Sequence, residues 1–153
     1  MDSKINIKRT QSSNEDFNNL IVQLDKELYT RYQSAQTAYD KHNKIELIDT
    51  VIIAYDNGGQ PIGCGCFKNF NKDTVEIKRM FVTASYRGMG ISKLILKELE
   101  NWAKDLGFSE AILETGVKQG EAIGLYSNAG YSRIENYGQY KDISTSVCFE
   151  KKL

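Results

Sequence analysis

The stretch "VTASYRGMGISKLILKEL", Val82 to Leu99, decides how the rest of the chain is read. An arginine and two closely spaced glycines, Arg87-Gly88-Met89-Gly90, stand where a run of good helix formers begins. A glycine-rich turn at a helix start aims several unpaired N–H groups, and the positive helix end, at one spot. That geometry suits a phosphate. An ordinary tight turn would carry the same glycines, so the flanking sequence has to separate the two.

Downstream, Ile91, Leu94, Ile95, Leu99, Trp102 and Leu106 predict one buried helical stripe, with Gly107 as its stop. Ala111 to Thr115 (AILET) then predicts a strand, and a helix between two strands implies a right-handed crossover to a parallel neighbour. Gly120 to Ala129 reads as a short helix ending at Gly130. Tyr131 to Ile134 and Thr145 to Lys151 read as closing strands.

Upstream, Thr74 to Thr83 is the strand that enters the loop. It follows Thr50 to Tyr55 and Ile62 to Phe70, with turns at Asp56-Asn57-Gly58-Gly59 and Asn71-Lys72-Asp73, so the three predict an antiparallel meander. Ile5 and Ile7 alternate with polar residues as a first strand. Ser12, Ser13 or Asn14 would cap a helix whose apolar positions, Phe17, Leu20, Ile21, Leu24 and Leu28, carry it to about Tyr32. Residues 33–48 are polar and weakly patterned and read as a short helix plus loop. With no repeats, low-complexity tracts or linkers, residues 1–153 are expected to form one α/β domain.

The composition fits that expectation. At 153 residues and 41% hydrophobic, the chain can bury one sizeable core. Lys+Arg and Asp+Glu are equal at 20 each, so no global field draws it to nucleic acid or a membrane surface. No apolar stretch approaches the roughly 20 residues that cross a bilayer, and MDSKINIKRT lacks the apolar segment of a secretory signal. Cys64, Cys66 and Cys148 make no disulfide framework, which suits a reducing cytoplasm. Cys64-Gly65-Cys66 lacks a second ligand cluster, and all three cysteines sit in alternating apolar surroundings as small hydrophobes. The lone His42 has no partner cluster and reads as a surface loop residue.

The glycine turn fits neither common nucleotide loop. A Walker loop needs a lysine before its Ser/Thr, and Gly90-Ile91-Ser92 has none. A Rossmann fingerprint would need glycine at position 93, which is Lys93, and would follow a parallel unit rather than a meander. Instead Arg87-Gly88-Met89-Gly90-Ile91-Ser92, after Glu76-Ile77-Lys78-Arg79-Met80-Phe81-Val82, resembles the pyrophosphate loop of the GNAT superfamily of N-acetyltransferases. That loop reads Arg/Gln-x-x-Gly-x-Gly/Ala. The resemblance continues through Leu113-Glu114-Thr115 and through Ala122-Ile123-Gly124-Leu125-Tyr126-Ser127-Asn128-Ala129-Gly130-Tyr131, and the order of elements agrees over nearly the whole chain. The combination EIKRM, LETG and the ending SVCFEKKL resembles a branch of small bacterial members.

The resemblance implies a mixed α/β sheet, mostly antiparallel, with one parallel pair formed by the fourth and fifth strands and splayed at the cofactor site. Helices would cover both faces. It implies acetyl-CoA as co-substrate and no metal, since a thioester is already activated. Main-chain groups of Met80, Phe81 and Val82 would bind the pantetheine arm by extending the sheet, and one N–H there would polarise the thioester carbonyl. Arg87, Gly88, Met89, Gly90, Ile91 and Ser92 would wrap the pyrophosphate. Ser92 stands where the family prefers glycine or alanine; it is small, and cofactor binding is expected to survive. Gln119 stands where many members place an asparagine on the cofactor arm.

Acetyl transfer to an amine requires a proton acceptor, because an alkylamine with pKa about 10.4 is protonated at neutral pH. By resemblance that acceptor is Glu76. Alternation puts Glu76, Lys78, Met80 and Val82 on one face; the alternative is an exposed strand carboxylate paired with Lys78 or Lys68. Tyr126 matches the family's acid that protonates the leaving thiolate, its alternative being a core tyrosine. By the same resemblance the acceptor enters between residues 24–46 and 135–145, which offer Tyr29, Arg31, Tyr32, Tyr137 and Tyr140. The expected activity is N-acetylation of a small-molecule amine or amino acid, by a monomer or homodimer. Protein lysine or N-terminal acetylation, and a non-catalytic acyl-CoA sensor, are the alternatives.

Overall fold

Asn14 starts the first helix: its Oδ1 accepts a hydrogen bond from the Phe17 N–H at 3.2 Å, the bond an N-cap residue makes to the third helical position. Of the three capping candidates it is the one that fills this role. The computed structural model describes residues 4–32 and 47–153. The short helix and loop expected over 33–48 lie mostly outside the described residues, as does His42. Among the described residues the order is β1 (Asn6–Thr10), α1 (Glu15–Tyr32), β2 (Val51–Tyr55), β3 (Pro61–Asn69), β4 (Thr74–Val82), α2 (Ile91–Asp105), β5 (Glu110–Gly116), α3 (Gly120–Asn128), β6 (Ser132–Ile134) and β7 (Ser146–Lys152). No helix among them is long and apolar enough to cross a membrane.

The strands form one seven-stranded sheet in the order β1-β2-β3-β4-β5-β7-β6. Every neighbouring pair is antiparallel except β4 and β5, which run parallel. Strand alternation then sorts the core into two layers. Val51, Ile53, Cys64, Cys66 and Phe81 face α1, where Phe17, Leu20, Ile21 and Leu24 meet them. Ile52, Ala54, Phe67, Val75, Ile77 and Leu113 face the other way, against Ile91, Ile95, Leu96 and Leu99 of α2. Burial of each Val, Ile, Leu or Phe side chain among these contributes roughly 1.5–3 kcal/mol. All three cysteines are free and buried, in keeping with their reading as small core residues.

Two expectations are corrected here. Leu94 and Leu106 are 49% and 56% exposed, and the buried stripe of α2 is Ile91, Ile95, Leu99 and Ala103 with Leu96. The reason lies in β3. A Cβ on Gly63 would stand 3.0 Å from Ile95, and one on Gly65 would stand 3.0 Å from both Ile95 and Leu99. The helix therefore beds on the two glycines, and that contact sets its rotation. Gly107 ends it as expected: at φ 95° it lets its own N–H reach Lys104 O and the Phe108 N–H reach Ala103 O, both at 3.0 Å.

The second correction concerns β4. Arg79 has φ 61°, the left-handed region, and the register with β3 jumps from Cys64↔Phe81 to Cys66↔Lys78. This is a β-bulge, and it resets the side-chain alternation. Glu76 and Lys78 stay on one face, with Phe81 beyond the bulge, while Met80 and Val82 turn to the α2 face. The four residues expected on one face are thus split two and two. The Cys64 and Cys66 thiols donate to the carbonyls of Arg79 and Lys78 beside the bulge, each at 3.4 Å.

Candidate active site

The ladder between β4 and β5 covers only Thr74–Ile77 against Glu110–Leu113. Beyond it Lys78–Val82 and Glu114–Gly116 separate, and the gap opens into a cleft of about 870 Å³. Its walls come from the end of β4, the glycine turn, the end of β5, α3 and the C-terminal half of α1. The edge of β4 that faces β5 is therefore paired over its first half and open to the cleft over its second.

At one end of the cleft Gly88 and Gly90 have φ 79° and 78°. A Cβ at either would meet nothing within 4 Å, so glycine is required there by its dihedrals and not by crowding. The N–H groups of Gly88 to Ser92 find no hydrogen-bond acceptor among the described residues. They leave a cradle of donors at the start of α2 that fits an anion. Arg87, Gly88, Gly90, Ile91 and Ser92 line the cleft; the Met89 side chain is 61% exposed and does not. The Arg87 guanidinium turns back from the turn, donating to Val82 O at 2.8 Å and to Glu27 Oε2 at 2.6 Å.

Met80, Phe81 and Val82 run along the cleft, and α3 faces them. Tyr126 on α3 is 5% exposed and meets the rings of Tyr131 and Phe149 at centroid distances of 5.8 and 6.1 Å. Its hydroxyl has no hydrogen-bond partner among the described residues, and burial pushes its pKa well above the ordinary tyrosine value. The group is a neutral O–H, held dry at the wall of the cleft. Gln119 also lines the cleft, with its side-chain carbonyl accepting from Thr115 Oγ1 at 2.9 Å and Gly116 N at 3.0 Å. That oxygen closes the turn between β5 and α3.

The other end is a cluster of ionisable groups. Glu76 is 3% exposed, so it is no solvated strand carboxylate, and its Oε2 accepts a hydrogen bond from Tyr137 at 2.6 Å. Lys78 Nζ lies 3.5 Å from the Tyr140 hydroxyl, and burial holds its pKa below the ordinary lysine value. Tyr140 is buried and lines the cleft. Arg31 lines it too, paired with Glu27 at 3.3 Å. Tyr29 is 62% exposed and stands outside it, and Tyr32 ends α1.

One residue of this cluster is missed by sequence reasoning. Glu114, on the same face of the sheet as Glu76, lines the cleft with its pKa pushed up to about 7 by burial, although the Ser146 hydroxyl donates to it at 2.7 Å. The signal was a single carboxylate inside the buried run AIL-E-TG. Nothing local to that run says that Ser146 and Lys78 will surround it.

Comparison with known proteins agrees with the architecture. The sequence profile of the acetyltransferase (GNAT) family matches residues 17–131. The "IAA acetyltransferase" of Azospirillum brasilense is 30% identical over 135 residues, which cover 88% of each chain. Among solved structures, a Klebsiella pneumoniae protein assigned as an acyl-CoA N-acyltransferase superposes with TM-score 0.83 at 24% identity, covering 99% of both chains. A GNAT family acetyltransferase of Elizabethkingia anophelis, solved with acetyl-CoA bound, gives TM-score 0.70 at 20% identity over 97% of this chain and 98% of its own.

Proposed function

The chain belongs to the acetyltransferase (GNAT) family, and on that premise we propose that it moves the acetyl group of acetyl-CoA directly onto the amine of a small molecule or amino acid. The observation that carries this reading is the opening of β4 from β5. One continuous cleft joins a cradle of N–H donors at one end to the buried Glu76 and half-buried Glu114 at the other, with a protonated tyrosine on the wall between.

Acetyl-CoA supplies an activated acyl carbon; the chain supplies position and protons. The N–H groups from Gly88 to Ser92 hold the pyrophosphate, and the end of β4 at Met80–Val82, open on its β5 side, offers main-chain groups to the amide-bearing arm. A main-chain N–H there polarises the carbonyl under attack. The amine must lose a proton, and Glu76 accepts it, directly or through a water. A second reading of that step rests on Glu114, whose value of about 7 matches the range in which a general base works best at neutral pH. Tyr126 gives its proton to the departing sulfur. The buried free thiols suit a reducing compartment, and the reading places the enzyme in the cytoplasm as a monomer or homodimer.

The test is an acceptor panel of amino acids, polyamines, arylalkylamines, a lysine peptide and N-terminal peptides, with acetylated products identified by mass spectrometry. Acetylation of a free small amine at a kcat/KM well above that of any peptide is the expected result. Preference for a peptide would move the assignment to protein acetylation, and coenzyme A binding without any product would leave a sensor.

A further inference from the structure

We infer that Tyr137 is a positioning residue: from the loop between β6 and β7 it clamps one oxygen of Glu76 and so fixes the carboxylate that receives the amine's proton. The inference rests on the reading of Glu76 as the proton acceptor. Its ground is the 2.6 Å bond from the Tyr137 hydroxyl to Glu76 Oε2, a length characteristic of a hydroxyl donating to an ionised carboxylate. At 3% exposure Glu76 has lost the water that would otherwise solvate it, and the tyrosine supplies the replacement. Glu76 Oε1 has no hydrogen-bond partner among the described residues and stays available at the cleft.

The clamp is itself held by two rings, and its loop is tied to itself. Phe70, at the turn between β3 and β4, meets the Tyr137 ring edge-on at 5.4 Å, and Tyr140 meets it from another side at 5.6 Å. The Asn136 side-chain amide donates to the carbonyls of Tyr140 at 3.3 Å and Ile143 at 3.1 Å, tying the loop to itself. A ring wedged between two others loses little further freedom when it holds a partner, so the bond is preorganised. Burial and the adjacent Glu76 charge push the Tyr137 pKa far up, which keeps the group a donor at any working pH. The loop that the family resemblance assigns to acceptor entry thereby sets the geometry of the proton acceptor as well.

A double-mutant cycle tests this on the full chain. Thiol release from acetyl-CoA is followed with the fastest acceptor among the standard amino acids, spermidine, tryptamine and water. Tyr137→Phe keeps the ring between Phe70 and Tyr140, and its circular dichroism spectrum and melting profile are recorded alongside. We expect it to lower kcat about tenfold, the scale of one hydrogen bond to a charged group, with KM for acetyl-CoA unchanged. In a Glu76→Gln background the same substitution should do nothing further. An equal loss in both backgrounds, or no loss in the wild type, overturns the positioning role while leaving Glu76 as acceptor. Full kcat in Glu76→Gln alone overturns the acceptor reading and the clamp with it.

Discussion

The Ser146 hydroxyl lies 2.7 Å from Glu114 Oε2 and joins the first residue of β7 to the carboxylate at the open end of β5. Burial raises Glu114 from 4.5 to about 7 despite that bond. In the unfolded chain the group ionises near its ordinary value, so the folded state binds the proton more tightly between the two. The stabilisation is fully present below pH 4.5 and is lost as pH rises through 7. At 1.36 kcal/mol per unit it amounts to about 3 kcal/mol. Glu114→Gln should remove this slope, gaining stability over the wild type at pH 8 relative to pH 5. Parallel urea titrations at the two pH values measure it, and unchanged pH dependence in the variant would mean the carboxyl is not held neutral.

The same residue and Glu76 can be separated by rate. If Glu114 is the base, the acidic limb of kcat/KM falls near pH 7 and moves to higher pH in Glu114→Gln. If Glu76 is the base, Glu76→Gln forces the enzyme to work at higher pH, where the amine deprotonates unaided, while Glu114→Gln retains its limb. The pH–rate profiles of the two variants decide between the carboxylates.

These assignments differ in how far the sequence alone could reach. The glycine turn, the strand AILET and Tyr126 lie within short segments whose spacing or family signature is local, and each stands in the expected element. The bulge at Arg79 was not legible. It depends on the register against β3, where Gly65 faces the extra residue, and no feature of EIKRMFV announces it. The rotation of α2 escaped for a related reason, since Gly63 and Gly65 lie some thirty residues before the helix they receive. Glu114 and the Tyr137–Glu76 pair belong to the same class. Their environments are assembled from β4, β5, β7 and a distant loop, and periodicity within one element cannot contain them.

Gly90 tests the cofactor cradle. At φ 78° a β-branched residue is strained whatever space surrounds it, so Gly90→Val should force the turn out of the left-handed region and rotate its N–H groups away from phosphate. Calorimetry with coenzyme A should show affinity weakened by at least about tenfold, equivalent to 1.4 kcal/mol. Unchanged affinity in a folded variant would place the pyrophosphate elsewhere.

Behind Tyr126, Glu100 is buried and bound both by Lys151 at 3.0 Å and by the Tyr131 hydroxyl at 2.9 Å. Lys151→Ala leaves that carboxylate with the tyrosine alone, and removal of one member of a buried pair costs about 3 kcal/mol. Chemical denaturation should record the loss. A change below the scale of a surface pair, about 1 kcal/mol, would show that Glu100 finds water in the folded state.

Tyr126, as the proposed proton donor, carries the central claim, that this cleft is built to catalyse acyl transfer rather than to store a ligand. Tyr126→Phe keeps the ring against Tyr131 and Phe149 and removes only the hydroxyl. General-acid contributions run about 10²–10⁴-fold, and a thiolate with pKa about 8.5 leaves tolerably well unaided, so the loss belongs at the low end. The decisive measurement is kcat for Tyr126→Phe beside its dissociation constant for coenzyme A. The account predicts turnover reduced on the order of 10²-fold with coenzyme A affinity unchanged. Full turnover with a lowered melting temperature would contradict it, making Tyr126 a core residue and leaving the sulfur to take its proton from water.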